Sequence, residues 1–225
     1  MIAFDKVTKK FALGNIALDD VSFEVQKNEF VFLVGPSGAG KTTILRLLLH
    51  QFLPTSGSVT VDEVDIGSKK FHNVQELRRR IGVVFQDFKI LPEKNLFENI
   101  ALGMSVTHAP VSQIKDEVYK ALELVNLKGR ELLFPLQMSA GELQRVAIAR
   151  AIIGDRDILL ADEPTGNLDP KTTWEIMRIL KKLEKKKTML IATHNTDIVN
   201  SLRKRVLVIS KGKLERDIPR GGYEL

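Results

Sequence analysis

Residues 30–43 constrain this chain more than any other stretch. The run FVFLV, five apolar residues, passes directly into GPSGAGKTT and then into the amphipathic segment ILRLLLHQF. A continuous apolar run of this kind reads as a strand buried on both faces, as in a parallel sheet. The spacing Gly35-x-x-x-x-Gly40-Lys41-Thr42 matches G-x-x-x-x-G-K-[ST] in full, with a strand before it and a helix after it. Glycines let backbone N–H groups wrap phosphate oxygens, and the following helix adds its positive dipole end. Gly35, Pro36, Ser37, Gly38, Ala39, Gly40, Lys41, Thr42 and Thr43 are therefore predicted to cradle the phosphates of a nucleotide. Lys41 is placed to reach the β- and γ-phosphates and the Thr42 hydroxyl to coordinate Mg²⁺.

The rest of the chain repeats the strand–helix alternation. IGVVFQ, DILLAD, TMLIAT and RVLVIS are short apolar runs beside polar turns, and SQIKDEVYKALELVNL, SAGELQRVAIARAII and KTTWEIMRILKKLEKKK read as helices. Strands alternating with helices imply an α/β fold with a parallel central sheet. IAFDKVTKKF, VSFEV and SVTVDEVDI read instead as short alternating strands near the N-terminus. The stretch from about 88 to 155 has little strand character and is expected to be a mostly helical subdomain. It would be inserted in one domain spanning 1–225, since no repeat or linker interrupts the chain. Trp174, Met177, Leu180 and Leu183 form an apolar stripe expected to pack on the sheet.

Composition excludes several chemistries. The 225 residues contain no cysteine, which removes disulfides, thiol catalysis and cysteine-ligated zinc or iron–sulfur centres. His50, His72, His108 and His194 show no metal-ligand spacing. No apolar run approaches the length of a membrane-spanning helix, and MIAFDKVTKK lacks the basic-then-apolar order of an export signal, so a cytoplasmic location is expected. Lys plus Arg outnumber Asp plus Glu by 34 to 28, a net charge of +6. That excess fits solvated helix faces as well as an anionic partner, and the runs Arg78-Arg79-Arg80 and Lys185-Lys186-Lys187 are read as facing solvent or an anionic membrane leaflet.

A second carboxylate set closes a strand. Ile158-Leu159-Leu160-Ala161 leads into Asp162-Glu163, the pattern in which the aspartate holds Mg²⁺ and the glutamate polarises the attacking water. Together with the phosphate loop it predicts hydrolysis of a nucleoside triphosphate.

Further motifs discriminate among phosphate-loop proteins. Gln86 ends IGVVFQ, Ser139-Ala140-Gly141-Glu142 opens a helix followed by Gln144-Arg145, Asn167-Leu168-Asp169 closes ADEPTGNLD, and His194 follows TMLIAT. In this order, over essentially the full chain, the set resembles the ATP-binding-cassette (ABC) ATPase family. The resemblance implies an ABC-type P-loop NTPase with a RecA-like parallel-sheet core, an N-terminal antiparallel β subdomain and an inserted helical subdomain, acting on ATP with Mg²⁺. It makes Lys41, Glu163 and His194 the catalytic residues, with His194 contacting the γ-phosphate and Glu163. It makes Thr42, Gln86 and Asp162 the Mg²⁺ ligands, and gives Gln86 the added role of sensing a membrane partner. Ser139, Ala140, Gly141 and Glu142 would be the signature that binds ATP held by the opposite subunit of a head-to-tail homodimer, and Asp169 would cross that interface. The family usually has LSGGQ or LSGGE here. Ala140 adds a methyl and restricts positive φ angles, which would weaken the phosphate contact without abolishing it. Phe11 stands where the family places an aromatic that stacks on adenine; the lesser alternative is an ordinary core Phe on an N-terminal strand.

FVFLVGPSGAGKTT, VVFQDFKIL, ADEPTGNLD and the ending Gly222-Tyr223 are most similar to the cell-division branch of the family. There the ATPase sits on the cytoplasmic face of the membrane and works with the integral membrane protein FtsX, relaying ATP-driven motion to extracytoplasmic cell-wall hydrolases. A lipoprotein-release or macrolide-export ATPase would share the ATP chemistry. A DNA-associated ABC ATPase is disfavoured by the lack of heptads and by only 6% aromatic residues, so no nucleic acid partner is expected. Asp87-Phe88-Lys89-Ile90-Leu91 would wall the groove that receives a short helix of the membrane partner, or else fill the subdomain's own core.

Overall fold

The computed structural model describes residues 1–105, 109–154 and 156–222; Asp155, His108 and Tyr223 of the tail pair lie outside the described residues. The first strands are β1 (Ile2–Lys10), β2 (Ile16–Val25) and β3 (Phe30–Val34), followed by helix α1 (Lys41–Leu48). Next come β4 (Ser56–Val61), β5 (Val64–Asp65), α2 (Val74–Arg80) and β6 (Ile81–Val84). Helices α3 (Leu96–Ala101), α4 (Val111–Leu124) and α5 (Ala140–Ile152) follow, with a 3₁₀ turn at Pro135–Gln137. The chain continues through β7 (Ile158–Asp162), α6 (Pro170–Leu183), β8 (Thr188–Ala192), α7 (Thr196–Leu202), β9 (Arg205–Ser210) and β10 (Lys213–Ile218). Packing divides it into two compact units, residues 1–78 with 188–225 and residues 79–187.

In the first unit, β2-β1-β4-β5 form an antiparallel sheet. Alternation along β1 and β2 buries Ile2, Phe4, Leu18, Val21 and Phe23 on one face. Phe4 stands opposite Phe23 and their rings stack at 4.6 Å. All five residues of β3 are buried, because β8 and β9 flank it in parallel register. β10 runs antiparallel on the outer side of β9. Its sequence KLERDI hides this strand from any reading based on apolar runs, and its charges are what an edge strand needs to resist pairing with another chain. Arg78, first of the three consecutive arginines, caps the end of α1, donating from Nε to the Leu49 carbonyl at 3.0 Å and from a terminal nitrogen to the His50 carbonyl at 3.3 Å.

In the second unit, β6 and β7 pair in parallel, Ile81 with Ile158 through Val84 with Ala161. Arg80 pairs with Asp157 at 2.5 Å, so two of the three arginines hold the fold rather than face only solvent. Among the described residues between 88 and 152 the elements are helical. α5 buries Val146, Ala147, Ile148, Ala149, Ala151 and Ile152 together with polar Gln144. α6 turns Thr173, Ile176, Met177, Ile179, Leu180 and Leu183 inward, a stripe that follows the 3.6-residue period. Trp174 sits at its margin and is only half-buried.

Candidate nucleotide site

The phosphate loop, Phe11 and His194 belong to the first unit; Gln86, Asp162, Glu163, the signature and Asp169 belong to the second. Each set has its own geometry.

In the first unit the loop leaves the C-terminal end of β3, where the parallel strands also deliver the residues after β8. Leu33 stands opposite Ala192, and Thr193 donates its N–H to the Leu33 carbonyl at 3.0 Å. The register therefore sets Thr193, which precedes His194, beside the end of β3 from which the loop departs. His194 is exposed, and the following Asn195 caps α7 by accepting from the Ile198 N–H at 3.1 Å. Gly40 holds φ at 115° as the residue preceding α1. A Cβ there would lie 2.6 Å from the Ala17 carbonyl oxygen, so the turn admits glycine alone. Lys41 is 7% exposed, and its ammonium donates to the carbonyls of Gly35 at 2.7 Å and Pro36 at 3.1 Å. A buried cation is thus held inside the loop by the loop's own backbone. Phe11 falls just after β1, half-buried, edge-on to Phe52 at 5.2 Å with the Lys9 ammonium 5.3 Å from its ring centre. It belongs to a small aromatic–cation cluster rather than to the interior of the antiparallel sheet.

In the second unit, Gln86 and Asp162 emerge from adjacent parallel strand ends, since Val84 is opposite Ala161. Glu163 comes next, with its backbone in the left-handed region at φ 47°. A Cβ placed on Gly166 would be 3.5 Å from Glu163 Cβ and 3.8 Å from Gln86 Nε2, so both side chains flank the same turn. Ser139 caps α5: its hydroxyl accepts from the Glu142 N–H at 3.3 Å while the Glu142 carboxylate accepts from the Ser139 N–H at 3.0 Å. That backbone hydrogen bond, then the Ser139 hydroxyl and the Arg130 guanidinium, hold the Glu142 carboxyl below the usual range. Ala140 is exposed and occupies the first helical position of α5, with no positive φ. The restriction on positive φ therefore has no bearing at this position, and a helical backbone suits alanine better than glycine. Gly141 is where bulk is excluded, a Cβ there coming 2.3 Å from Thr172 Cγ2. Thr172 in turn binds Asp169, donating its N–H at 3.0 Å and its hydroxyl at 2.5 Å; the hydroxyl bond foremost lowers the Asp169 pKa. Signature and Asp169 loop are thereby packed through one threonine.

Two residues that the sequence reading left without a role tie these pieces together. Gln144, 1% exposed, donates to the Pro164 carbonyl at 2.6 Å, directly beyond Glu163. Arg150 donates to the carbonyls of Phe88 at 2.7 Å and Lys89 at 2.6 Å, just beyond Gln86. A glutamine on an otherwise apolar helical face is the one signal that pointed to the first. Phe88, Ile90 and Leu91 are all half-buried.

The ABC transporter family model matches residues 18–166. The cell division ATP-binding protein FtsE of Bacillus subtilis (strain 168) is 44% identical over 224 residues, covering 99% of this chain and 98% of that protein. FtsE of Streptococcus pneumoniae serotype 2 (strain D39 / NCTC 7466) is 46% identical over 224 residues, covering 99% and 97%. Among solved structures, the dimeric bacterial ABC transporter cassette MJ0796 superposes with a TM-score of 0.87 at 33% identity, covering 99% of this chain and 100% of that one. A second structure of that cassette, described as a post-hydrolysis state bound to ADP and Pi, gives the same TM-score at 32% identity over the same shares of the two chains. Motifs, fold and near-full-length relatives agree, and the chain belongs to the ABC transporter family of ATPases.

Proposed function

We propose that this chain is the ATP-hydrolysing subunit of a cell-division complex, seated on the cytoplasmic face of the membrane beside an FtsX-like integral membrane protein. The observation that carries this reading is the 44–46% identity to FtsE proteins over nearly the whole of both chains. Among the described residues no helix is long and apolar enough to cross a membrane, which fits a subunit that depends on a partner for anchoring.

The chemistry proposed for the site follows from its donors. Gly35 to Thr43 bind the phosphates of ATP, with Lys41 offsetting the γ-phosphate charge and Phe11 stacking on adenine. Glu163 accepts a proton from the attacking water and His194 orients the γ-phosphate. Among the described residues no cluster of three or more His, Asp or Glu could hold a metal alone. A hydroxyl, a carboxylate and an amide oxygen suit Mg²⁺, which takes few protein ligands and completes its shell with phosphate and water. Thr42, Asp162 and Gln86 would hold it, and it would neutralise charge on the phosphates. Ser139, Ala140, Gly141 and Glu142 serve the ATP of the second subunit in a head-to-tail homodimer, and Asp169 crosses that interface. The dimeric form of the MJ0796 cassette supports this arrangement.

Copurification from membranes tests the assignment. An FtsX-like protein should accompany the chain, and Phe88→Asp should release it without lowering the melting temperature of the free subunit. Recovery of a substrate-transporting permease in its place would overturn the cell-division reading and leave the ATPase intact.

A further inference from the structure

In the first unit two cations and two aromatic rings meet where the end of β1 approaches the segment after α1. Lys9 lies on β1, and its ammonium stands 5.3 Å from the ring centre of Phe11 and 5.5 Å from that of Phe52. The same ammonium donates to the Leu53 carbonyl at 2.8 Å. The two rings meet edge to face, 5.2 Å apart with 82° between their planes. Phe52 also has the Arg46 guanidinium 5.6 Å from its ring centre, and its N–H donates to the Arg46 carbonyl at 3.4 Å. The cluster is thereby fastened to the helix that follows the phosphate loop.

The backbone at this corner is held without the Lys9 side chain. Thr55 donates its N–H to the Thr8 carbonyl at 2.7 Å, and its hydroxyl accepts from the Lys10 N–H at 2.9 Å. Phe11 closes the turn that follows, donating to the Asn15 carbonyl and accepting from the Gly14 N–H, each at 2.9 Å. What the Lys9 ammonium adds is a hold on the rings. A lysine confined between two rings and a carbonyl gives up rotamer freedom that a solvated one keeps. The effect of that confinement falls on Phe11, which is half-buried just beyond the strand and would otherwise sample several rotamers. The attraction of a cation for a ring persists at partly exposed sites. An aromatic side chain that is already fixed loses less freedom when a ligand stacks on it.

We propose that Lys9 is a positioning residue for base recognition, resting on the role of Phe11 as the ring that stacks on adenine. Lys9 holds Phe11 in its stacking orientation and so sets affinity for the nucleoside end of ATP, without acting on the phosphates.

The test compares binding of ATP with binding of tripolyphosphate, which has the phosphates and no base, by titration calorimetry in EDTA so that no hydrolysis intervenes. Wild type is set against Lys9→Met, Lys9→Arg, Phe11→Ala and the double variant Lys9→Met, Phe11→Ala. Lys9→Met should bind ATP about threefold to fivefold more weakly, the size of a partly exposed cation–ring contact. Lys9→Arg keeps the cation and should bind ATP as wild type does. Phe11→Ala should lose about tenfold or more, as expected for a lost base stack. The double variant should be no weaker than Phe11→Ala, because Lys9 then has no stacking ring to place. Tripolyphosphate should bind every variant as it binds wild type, which also shows that the phosphate loop is folded in each. An unchanged ATP affinity in Lys9→Met beside a loss in Phe11→Ala would overturn the role of Lys9 and leave that of Phe11 standing. No loss in Phe11→Ala would overturn the base-stacking reading and the role of Lys9 with it. Weaker tripolyphosphate binding by Lys9→Met would make the lysine a charge acting on phosphate, and an additive loss in the double variant would detach it from Phe11; either would overturn the proposal.

Discussion

Glu163 holds a left-handed backbone, φ 47°, which a side chain bearing a Cβ adopts only at a cost of about 1–3 kcal/mol. The surroundings enforce it, with Gly166 donating its N–H to the Glu163 carbonyl at 3.1 Å and Gln144 holding the next carbonyl, that of Pro164. Strain of this kind fixes where a carboxylate points at the end of β7. Glu163→Gln preserves the Cβ and the turn but removes the charge proposed to take a proton from water. The turnover number should fall by about 10²–10⁴, with ATP affinity and melting temperature unchanged. A phosphate-release assay beside a nucleotide-binding titration reads both, and wild-type turnover would remove Glu163 from the role of base.

α5 is the element on which the second unit's functional segments converge. Its first turn is the signature, Gln144 holds the Pro164 carbonyl, Arg145 pairs with Glu175 of α6 at 2.9 Å, and Arg150 grips the carbonyls of Phe88 and Lys89. Phe88 and Lys89 both have left-handed backbones, φ 56° and 50°, so the Arg150 bonds restrain an unfavourable turn beside Gln86. Arg150→Ala should cost about 2–3 kcal/mol for charge-assisted bonds lost to backbone carbonyls. Amide exchange in residues 86–91 should accelerate well beyond the change seen in β3, and a uniform change across the chain would refute a local restraint. At the other end of α5, Glu142 has a lowered pKa, so its capping contribution is fully present above the ordinary glutamate range and lost as pH falls through the lowered value. Acidification should therefore fray the first turn of α5 before the helix interior. Amide exchange of Glu142 and Leu143 compared with Ala149 checks this.

For the whole molecule, the proposed head-to-tail dimer makes a prediction that no single chain can mimic. Ser139→Arg should bind ATP and fail to hydrolyse it, because the bulk falls on the partner's nucleotide. Glu163→Gln fails for a reason inside its own chain. Mixing the two inactive proteins yields dimers in which one site combines a normal Glu163 with a normal Ser139, so hydrolysis should partly return. No recovery, with mixed dimers confirmed by mass, would show that each site is completed within one subunit.

The strand, loop and helix around residues 35–43 and the strand that ends at Asp162 were legible in the chain alone because each is contiguous. The apolar run, the glycine spacing and the helix that follows are encoded side by side, as are the apolar strand and the carboxylates that end it. That Ser139 to Glu142 open a helix was legible in the same way, whereas the reciprocal hydrogen bonds of Ser139 and Glu142 that give Ala140 its helical backbone are visible only in the structure. Gln144 and Arg150 act on carbonyls 20 and 61 to 62 residues away, and β10, too charged to look like a strand, exists by pairing with β9. The cluster around Lys9 assembles from the end of a strand and the segment after a helix, neither of which is distinctive by itself. Motifs that carry their neighbours with them can be read from sequence, whereas contacts between distant residues are settled by how the elements pack.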